Sequence, residues 1–202
     1  LVCKLSFLRV PPTMERYTFR NDEYKKLIYQ KSMEVAFVST INKRLYDEYG
    51  KRFLIEFSKY ADESIKLFII FEGEYPEEIL NISNNIIVIP FMSPKHKNFY
   101  RKFSNLREAH GVRIKIVKDK NTDGLKFKTA PDYRYNAIRF SFKPFAIHQC
   151  LEYLPSDTTN LIWTDADLRC KKNFSSIDLK EFLPDENHVM SYLGRTNSYS
   201  EC

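Results

Sequence analysis

The sequence predicts an α/β protein with a mostly parallel central sheet and helices on both of its faces. Short, continuous apolar runs suit strands that are buried on both sides. These runs alternate with stretches in which apolar residues recur at three- and four-residue spacing, the pattern of an amphipathic helix. Such alternation is typical of parallel strands joined by crossover helices. The length of 202 residues suits one sizeable domain with a hydrophobic core.

The first half of the chain contains three predicted strands. They are Val35–Val38, Ile65–Phe71 and Ile86–Ile89. An aromatic series at helical spacing predicts a helix between the first two strands, with Tyr46, Tyr49, Phe53, Phe57 and Tyr60 on its apolar face. Ser93 and Pro94 form a favourable cap and first turn, so we predict a second helix from there to about His110, ended by Gly111.

A basic segment between Val112 and Lys143 follows. It carries nine Lys and Arg residues against three Asp residues, so its charge of nine minus three equals the +6 of the whole chain. We expect Lys115–Lys128 to be a solvated, lysine-rich loop, although an anionic ligand at a nearby cleft would also explain the charge. Arg139 and Lys143 would share one helix face and could reach a phosphate together. Two surface cations over an aromatic core explain them equally well.

Two aspartates follow the next apolar run, Leu161–Trp163. Asp165 and Asp167 are two residues apart, and in an extended backbone they would project to the same side from the end of a core strand. At about 5 Å and an effective dielectric near 20, they would repel by about 3 kcal/mol. Mg²⁺ or Mn²⁺, which bind carboxylate and phosphate oxygens, would relieve that repulsion. We therefore predict a metal–diphosphate site, with a simple turn as the alternative.

The remaining segments complete the predicted arrangement. We predict a short helical excursion over Phe174–Leu183, a strand over His188–Leu193 and a polar site loop from Gly194 onward. Because ligands bind beyond the carboxyl ends of parallel strands, the polar stretch Ser39–Asn42 and the aspartate pair should meet across one cleft.

Composition excludes several classes of protein. The four cysteines lie far apart, which supports neither a zinc site nor a dense disulfide framework, so we expect a reducing, cytoplasmic setting. No apolar run approaches the roughly 20 residues of a transmembrane helix, although peripheral membrane association stays open. The domain is predicted over residues 31–202, after a lead-in segment of residues 1–30. Because the chain starts at Leu1, we expect a fragment, with Met14 as a natural start.

With these parts assembled, the chain resembles the GT-A glycosyltransferases, which use nucleotide sugars and have a Rossmann-like sheet. The resemblance covers about Val35 to Cys202. It is carried by Val35–Asn42, Arg139–Lys143, the Leu161–Asp167 strand with its Asp-x-Asp motif, Gly194-Arg195 and Ser200–Cys202. The last two are similar to the sugar-side loop of bacterial and viral members. The family usually continues with acceptor-binding and metal-binding sequence, so we expect the domain to be truncated at its C-terminus.

The resemblance implies a GT-A sandwich and a hexosyltransferase-like activity. Such an enzyme moves a sugar from a nucleotide diphosphate donor to a hydroxyl group of a glycan, polysaccharide or other acceptor. The implied cofactor is Mn²⁺ or Mg²⁺ on Asp165 and Asp167, which would stabilise the charge that develops on the diphosphate.

The resemblance also implies roles for individual residues. Asp167 and Glu201 would be catalytic, with Glu201 contacting the sugar or the acceptor. The residues that would bind the nucleotide sugar are Ser39, Thr40, Asn42, Arg139, Lys143 and Asp165. His110 and His148 are bases in principle, but packing or surface positions on helices explain them better.

Other functions stay open as alternatives. A basic, aromatic-rich chain could bind nucleic acid, but no recognised motif is present and the aromatic residues fall at core periodicity, so we predict no nucleic-acid partner. A phosphatase or nucleotidyltransferase would also use paired aspartates, although a two-metal hydrolase needs more ligands than the four histidines suggest. A non-catalytic, GT-A-like nucleotide-binding domain is the remaining alternative.

Overall fold

The structure is a computed structural model that describes residues 5–10, 34–118, 124–185 and 187–192. The chain divides into two compact units. The first comprises residues 1–92 and 146–202, and the second comprises residues 93–145.

The strands, in chain order, are β1 (Leu5–Arg9), β2 (Val35–Asn42), β3 (Lys66–Glu72), β4 (Ile86–Pro90), β5 (His110–Lys118), β6 (Leu125–Asn136), β7 (Asn160–Thr164) and β8 (Met190–Tyr192). The α-helices are α1 (Lys43–Leu45), α2 (Lys51–Tyr60), α3 (Pro94–Phe103), α4 (Ala137–Leu151) and α5 (Ser176–Leu179). A π-helical segment, Tyr46–Gly50, joins α1 to α2, and 3₁₀ segments occur at Glu77–Asn81 and Lys180–Phe182. No described helix is long and apolar enough to span a bilayer.

A six-stranded mixed sheet is the framework of the first unit. Its strand order is β4-β3-β2-β7-β1-β8. The first four strands are mutually parallel, whereas β1 runs antiparallel to both β7 and β8. This arrangement confirms the predicted α/β class and the mostly parallel sheet. Strand β1 was not predicted, because it lies within the segment expected to be a lead-in.

Two hydrophobic clusters lie on opposite faces of this sheet, because successive side chains of a strand alternate. One cluster joins Phe37 and Ile41 of β2 to Phe53 and Phe57 of α2. The other joins Ala36 and Val38 of β2 to residues of the last part of α4, Ala146 and Cys150. Burying each large apolar side chain contributes about 1.5–3 kcal/mol, so the continuous apolar runs are stable only when helices cover both faces.

The last part of α4 also closes the end of β4 through one buried amide. Gln149 is 4% exposed. Its Nε2 donates to the Pro90 carbonyl at 2.8 Å, and its Oε1 accepts from the Met92 backbone N–H at 3.0 Å. The backbone groups just beyond the strand are thereby satisfied without a further strand.

The second unit combines the antiparallel pair β5–β6 with α3 and α4 residues up to Phe145. A buried polar pair joins its two helices: His96 Nε2 lies 2.9 Å from Ser141 Oγ, which donates to the Ile138 carbonyl at 2.7 Å. Burial lowers the pKa of His96, so the neutral imidazole is favoured in the folded state.

Two predictions fail in this second unit. The segment Lys115–Lys128, expected to be a solvated loop, forms the end of β5 and the start of β6 on either side of residues 119–123, which the structure does not describe. The helix expected to reach His110 ends at Phe103, because Ser104 and Asn105 favour turns over helix interiors. Gly111 has φ +79° and lies at a register shift at the start of β5, so it permits a bulge instead of ending a helix.

Candidate functional site

The connectivity of the six-stranded sheet reverses between β2 and β7. From β2 the chain passes to β3 and then β4 on one side, whereas β7 pairs with the opposite edge of β2. In open α/β sheets, such a switch point leaves a crevice beyond the carboxyl ends of the two strands, where ligands bind. The stretch Ser39–Asn42, which was expected to follow the strand, forms the last four residues of β2, and the aspartate pair follows β7 as predicted.

A polar cluster occupies the carboxyl ends of β2 and β3. Thr40 is opposite Ile70, and Asn42 is opposite Glu72. Thr40 Oγ1 lies 2.9 Å from the Ile70 carbonyl and 2.8 Å from Glu72 Oε1, so its single proton can be donated to either acceptor. Asn42 caps α1, because its Oδ1 accepts from the Leu45 backbone N–H at 3.0 Å. Two of the predicted donor-binding residues, Thr40 and Asn42, are therefore brought together.

Glu72 joins this cluster, although the sequence analysis did not select it. Burial raises the pKa of its carboxyl group, and hydrogen bonds from the side chains of Thr40 and Asn42 partly oppose that shift. An acidic residue at the end of a continuous apolar strand is the same signal that drew attention to Asp165. Applied to β3, that signal would have identified Glu72.

An open cleft of about 710 Å³ adjoins the cluster. Its lining residues are Asn42, Lys43, Arg44, Glu72, Glu74, Tyr75 and Pro76. Lys43 is ion-paired with Asp47, and Arg44 pairs with Glu48 at 3.4 Å; all four side chains are more than half exposed. Such surface pairs contribute little to stability, so both cations are available to an anionic ligand at small cost.

Ser39 lies apart from Thr40 and Asn42. It is 0% exposed, and in the alternation of β2 it shares the face of Phe37 and Ile41 that α2 covers. Its hydroxyl group has no hydrogen-bond partner among the described residues. The structure therefore places Ser39 in the core, on the opposite face of β2 from the polar cluster.

The aspartate pair forms a turn instead of the extended strand we expected. Strand β7 ends at Thr164, and the Leu168 backbone N–H donates to the Asp165 carbonyl at 3.3 Å, which closes a four-residue turn. Ala166 and Leu168, 7% and 8% exposed, pack in the core cluster on the α2 face. Burial of these two apolar residues is the physical reason why the chain bends here.

The two carboxylates of this turn differ in their surroundings. Asp165 is half-buried, and its Oδ1 accepts a hydrogen bond from the Trp163 indole N–H at 2.9 Å. Asp167 is exposed and has no hydrogen bond or ion pair with any residue that the structure describes. Trp163 thereby orients one carboxylate, whereas the other is fully accessible to a ligand.

A resident metal site is not formed by the described part of the chain, where no group of three or more His, Cys, Asp or Glu residues could hold an ion. Mg²⁺ and Mn²⁺, however, are commonly bound through one or two carboxylates together with substrate phosphates. That second mode needs only one or two protein carboxylates, so a cation on Asp165 and Asp167 together with a diphosphate stays a prediction.

The other predicted site residues lie elsewhere. Arg139 and Lys143 are in α4, within the second unit, and helical geometry puts them on one side of that helix as expected. Their assignment to donor phosphates stays a prediction. Glu201 lies outside the described residues.

The two histidines considered as bases each have a local contact. His110 begins β5 in the second unit, where its Nε2 lies 2.6 Å from the Ser104 carbonyl. His148 is on α4, where its Nδ1 lies 4.0 Å from Glu152 Oε1 one turn later. His148 is on a helix, as expected, whereas His110 lies at the start of a strand and not on a helix.

Comparison with protein-family models, with curated proteins and with solved structures finds no match to this chain.

Proposed function

We propose that the chain is a metal-dependent glycosyltransferase of the GT-A type, which moves a sugar from a nucleotide diphosphate donor to a hydroxyl group of a glycan or other acceptor. One observation carries the proposal: the Asp165–Asp167 turn and the Thr40–Asn42–Glu72 cluster lie at the carboxyl ends of neighbouring parallel strands around the switch point. A crevice of this kind, with acidic groups on one strand end and hydrogen-bonding groups on the next, suits a nucleotide.

The polar cluster would bind the nucleoside part of the donor. The half-buried carboxylate of Glu72 would accept hydrogen bonds from ribose hydroxyl groups, the role that an acidic residue fills in many dinucleotide-binding sheets. Thr40 holds that carboxylate in place through the 2.8 Å contact, so the acceptor is oriented before a ligand arrives. The cations of Lys43 and Arg44 in the same cleft would add charge-assisted hydrogen bonds to an anionic ligand.

The aspartate turn would bind the diphosphate through a cation. When bound, Mg²⁺ or Mn²⁺ supplies Lewis-acid stabilisation of the negative charge on the leaving diphosphate. The chain's own contribution is to present Asp167 to solvent and to fix Asp165 through the Trp163 indole, so that the ligand oxygens are arranged in advance. These roles assign binding to Asp165 and both binding and catalysis to Asp167.

Isothermal titration calorimetry of nucleoside diphosphates, with and without Mn²⁺, tests this function. We expect Mn²⁺ to strengthen binding, and we expect Asp167→Asn to abolish most of that gain, because the amide removes the negative charge that the cation needs. The melting temperature should stay close to that of the unmodified chain, because Asp167 is exposed.

Glu63→Gln is the matched control. Glu63 is an exposed carboxylate that precedes β3, at the opposite end of that strand from Glu72, so its neutralisation should leave the Mn²⁺ effect unchanged. The proposal is wrong if Asp167→Asn binds Mn²⁺ and nucleoside diphosphate as tightly as the unmodified chain does.

A further inference from the structure

The hairpin formed by β5 and β6 has an apolar face that no described residue covers. Ile116 is directly opposite Phe127, and Ile114 precedes Ile116 by two residues on the same side of the sheet. Leu125 lies two residues before Phe127 and extends this face. The four side chains are 71% (Ile114), 63% (Ile116), 72% (Leu125) and 78% (Phe127) exposed. Large apolar side chains that are contiguous and this exposed usually mark an interaction surface.

The other face of the hairpin is basic. Lys115 is directly opposite Lys128, with Arg113 two residues before Lys115, and all three side chains are exposed. Like charges that face each other across two strands are destabilising. Asp132 compensates only part of this charge, because it accepts a hydrogen bond from Arg134 at 2.7 Å and lies 3.8 Å from Lys115. Lys128 has no ion-pair partner among the described residues.

We propose that this hairpin binds the surface of an anionic lipid bilayer. Ile114, Ile116 and Phe127 would enter the boundary between headgroups and acyl chains, as the apolar side of an interfacial element does. The two strands of the hairpin are only about 5 Å apart, so long basic side chains of the other face can extend past the edges of the ribbon to the headgroups. Anionic headgroups relieve the repulsion between Lys115 and Lys128.

The composition of the apolar face separates this partner from two others. Single-stranded nucleic acid binds through stacking on aromatic rings, for which Tyr133 and Tyr135 of β6 are exposed, but it would leave the aliphatic side chains of Ile114, Ile116 and Leu125 in water. A second copy of the chain would carry the same positive charge, so it offers no charge complementarity. An anionic bilayer complements both the aliphatic face and the charge. The inference does not depend on the proposed transferase activity.

Sedimentation of the 202-residue chain with lipid vesicles tests the proposal. We expect binding to phosphatidylcholine vesicles that contain about 30% phosphatidylglycerol, weak binding to pure phosphatidylcholine, and loss of binding as salt is added. The double variant Ile116→Gln/Phe127→Gln should bind at least about tenfold more weakly, because two apolar side chains no longer leave water. Lys128→Gln should bind the anionic vesicles about fivefold more weakly than the unmodified chain does. Its weak binding to pure phosphatidylcholine should not change.

Matched controls lie in the first unit. Ile177→Gln removes an apolar side chain that is 74% exposed, and Lys172→Gln removes an exposed cation; neither should alter vesicle binding. The proposal is overturned if the double variant binds as well as the unmodified chain, or if charged and neutral vesicles bind equally. It is also overturned if the chain does not bind vesicles but forms a dimer that the double variant dissociates. Tight binding of single-stranded RNA without vesicle binding would overturn it as well. Lys128→Gln keeps the apolar face intact, so the proposal is also overturned if this variant binds anionic vesicles as tightly as the unmodified chain, even if the double variant unfolds.

Discussion

The six-stranded sheet of the first unit and the two-stranded sheet of the second use the same kinds of apolar residue in opposite ways. In β3, every residue from Leu67 to Phe71 is 0% exposed, because neighbouring strands and helices enclose it. In the hairpin, Ile116 and Phe127 are 63% and 78% exposed. The difference follows from pattern: a continuous apolar run must be covered on both faces, whereas alternation with lysine leaves one polar face and one apolar face. Apolar content alone therefore does not identify a core strand.

Alanine at one phenylalanine of each sheet should give the largest contrast. Phe68→Ala removes a fully buried ring from β3, and we expect it to cost about 3–5 kcal/mol of unfolding free energy. Phe127→Ala should change that free energy by no more than about 0.5 kcal/mol, because its ring is already in water. Urea unfolding measures both. Equal losses would mean that a part of the chain outside the described residues covers the hairpin.

Alanine at Gly111 should give an intermediate effect, because it strains the hairpin through its backbone. Gly111 has φ +79°, and a Cβ atom there would lie 2.4 Å from the Asp132 carbonyl oxygen, so we expect a cost on the order of 1–3 kcal/mol. Gly73 is the control: its φ is +87°, but a Cβ atom would meet nothing within 4 Å. Gly73→Ala should therefore cost less in the same urea experiment. If the two variants are equally destabilised, the close approach to Asp132 is not a constraint.

The smallest effect is expected at Glu72, the acidic exception at the end of the buried sheet. Burial raises the pKa of Glu72 in the folded state above the usual 4.5. Between pH 4.5 and that raised pKa, the folded state therefore binds more protons than the unfolded state. Stability falls as the pH rises through this interval. Glu72→Gln removes this titration. We expect its melting temperature to match that of the unmodified chain at pH 4 and to exceed it modestly at pH 7. A variant that is less stable at pH 7 would show that Thr40 and Asn42 outweigh the cost of burial.

Strands β2, β3, β4 and β7 of the first unit could be predicted from the sequence, because their side chains determine them locally. Ile65–Phe71 is too apolar to face water on either side, whatever its neighbours are. The order of the strands could not be predicted, since the pairing of β7 with β2 depends on contacts between distant residues. The hairpin was not predicted, because its high charge favoured a solvated loop. The period-two alternation of Ile114, Lys115 and Ile116 nevertheless indicates a strand.

The candidate site was predictable in location but not in detail. A carboxylate directly after an apolar strand located Asp165 at the end of β7, whereas β2 continues past Val38 through the polar residues to Asn42. The turn at Ala166 could not be predicted, because it depends on the packing of Ala166 and Leu168 against distant residues of the core. Ser39 was grouped with Thr40 by adjacency, although neighbouring residues of a strand point to opposite faces.

The position of β1 has a consequence for the order in which the protein can assemble during synthesis. Leu5 pairs with Thr164, and both strand neighbours of β1, namely β7 and β8, come late in the chain. Because ribosomes produce the N-terminus first, at about 5–20 residues per second, β1 has no native strand partner until β7 has been synthesised. During that interval the backbone N–H and C=O groups of β1 have no strand partner. The nascent segment can therefore pair with other chains or bind chaperones before the six-stranded sheet forms.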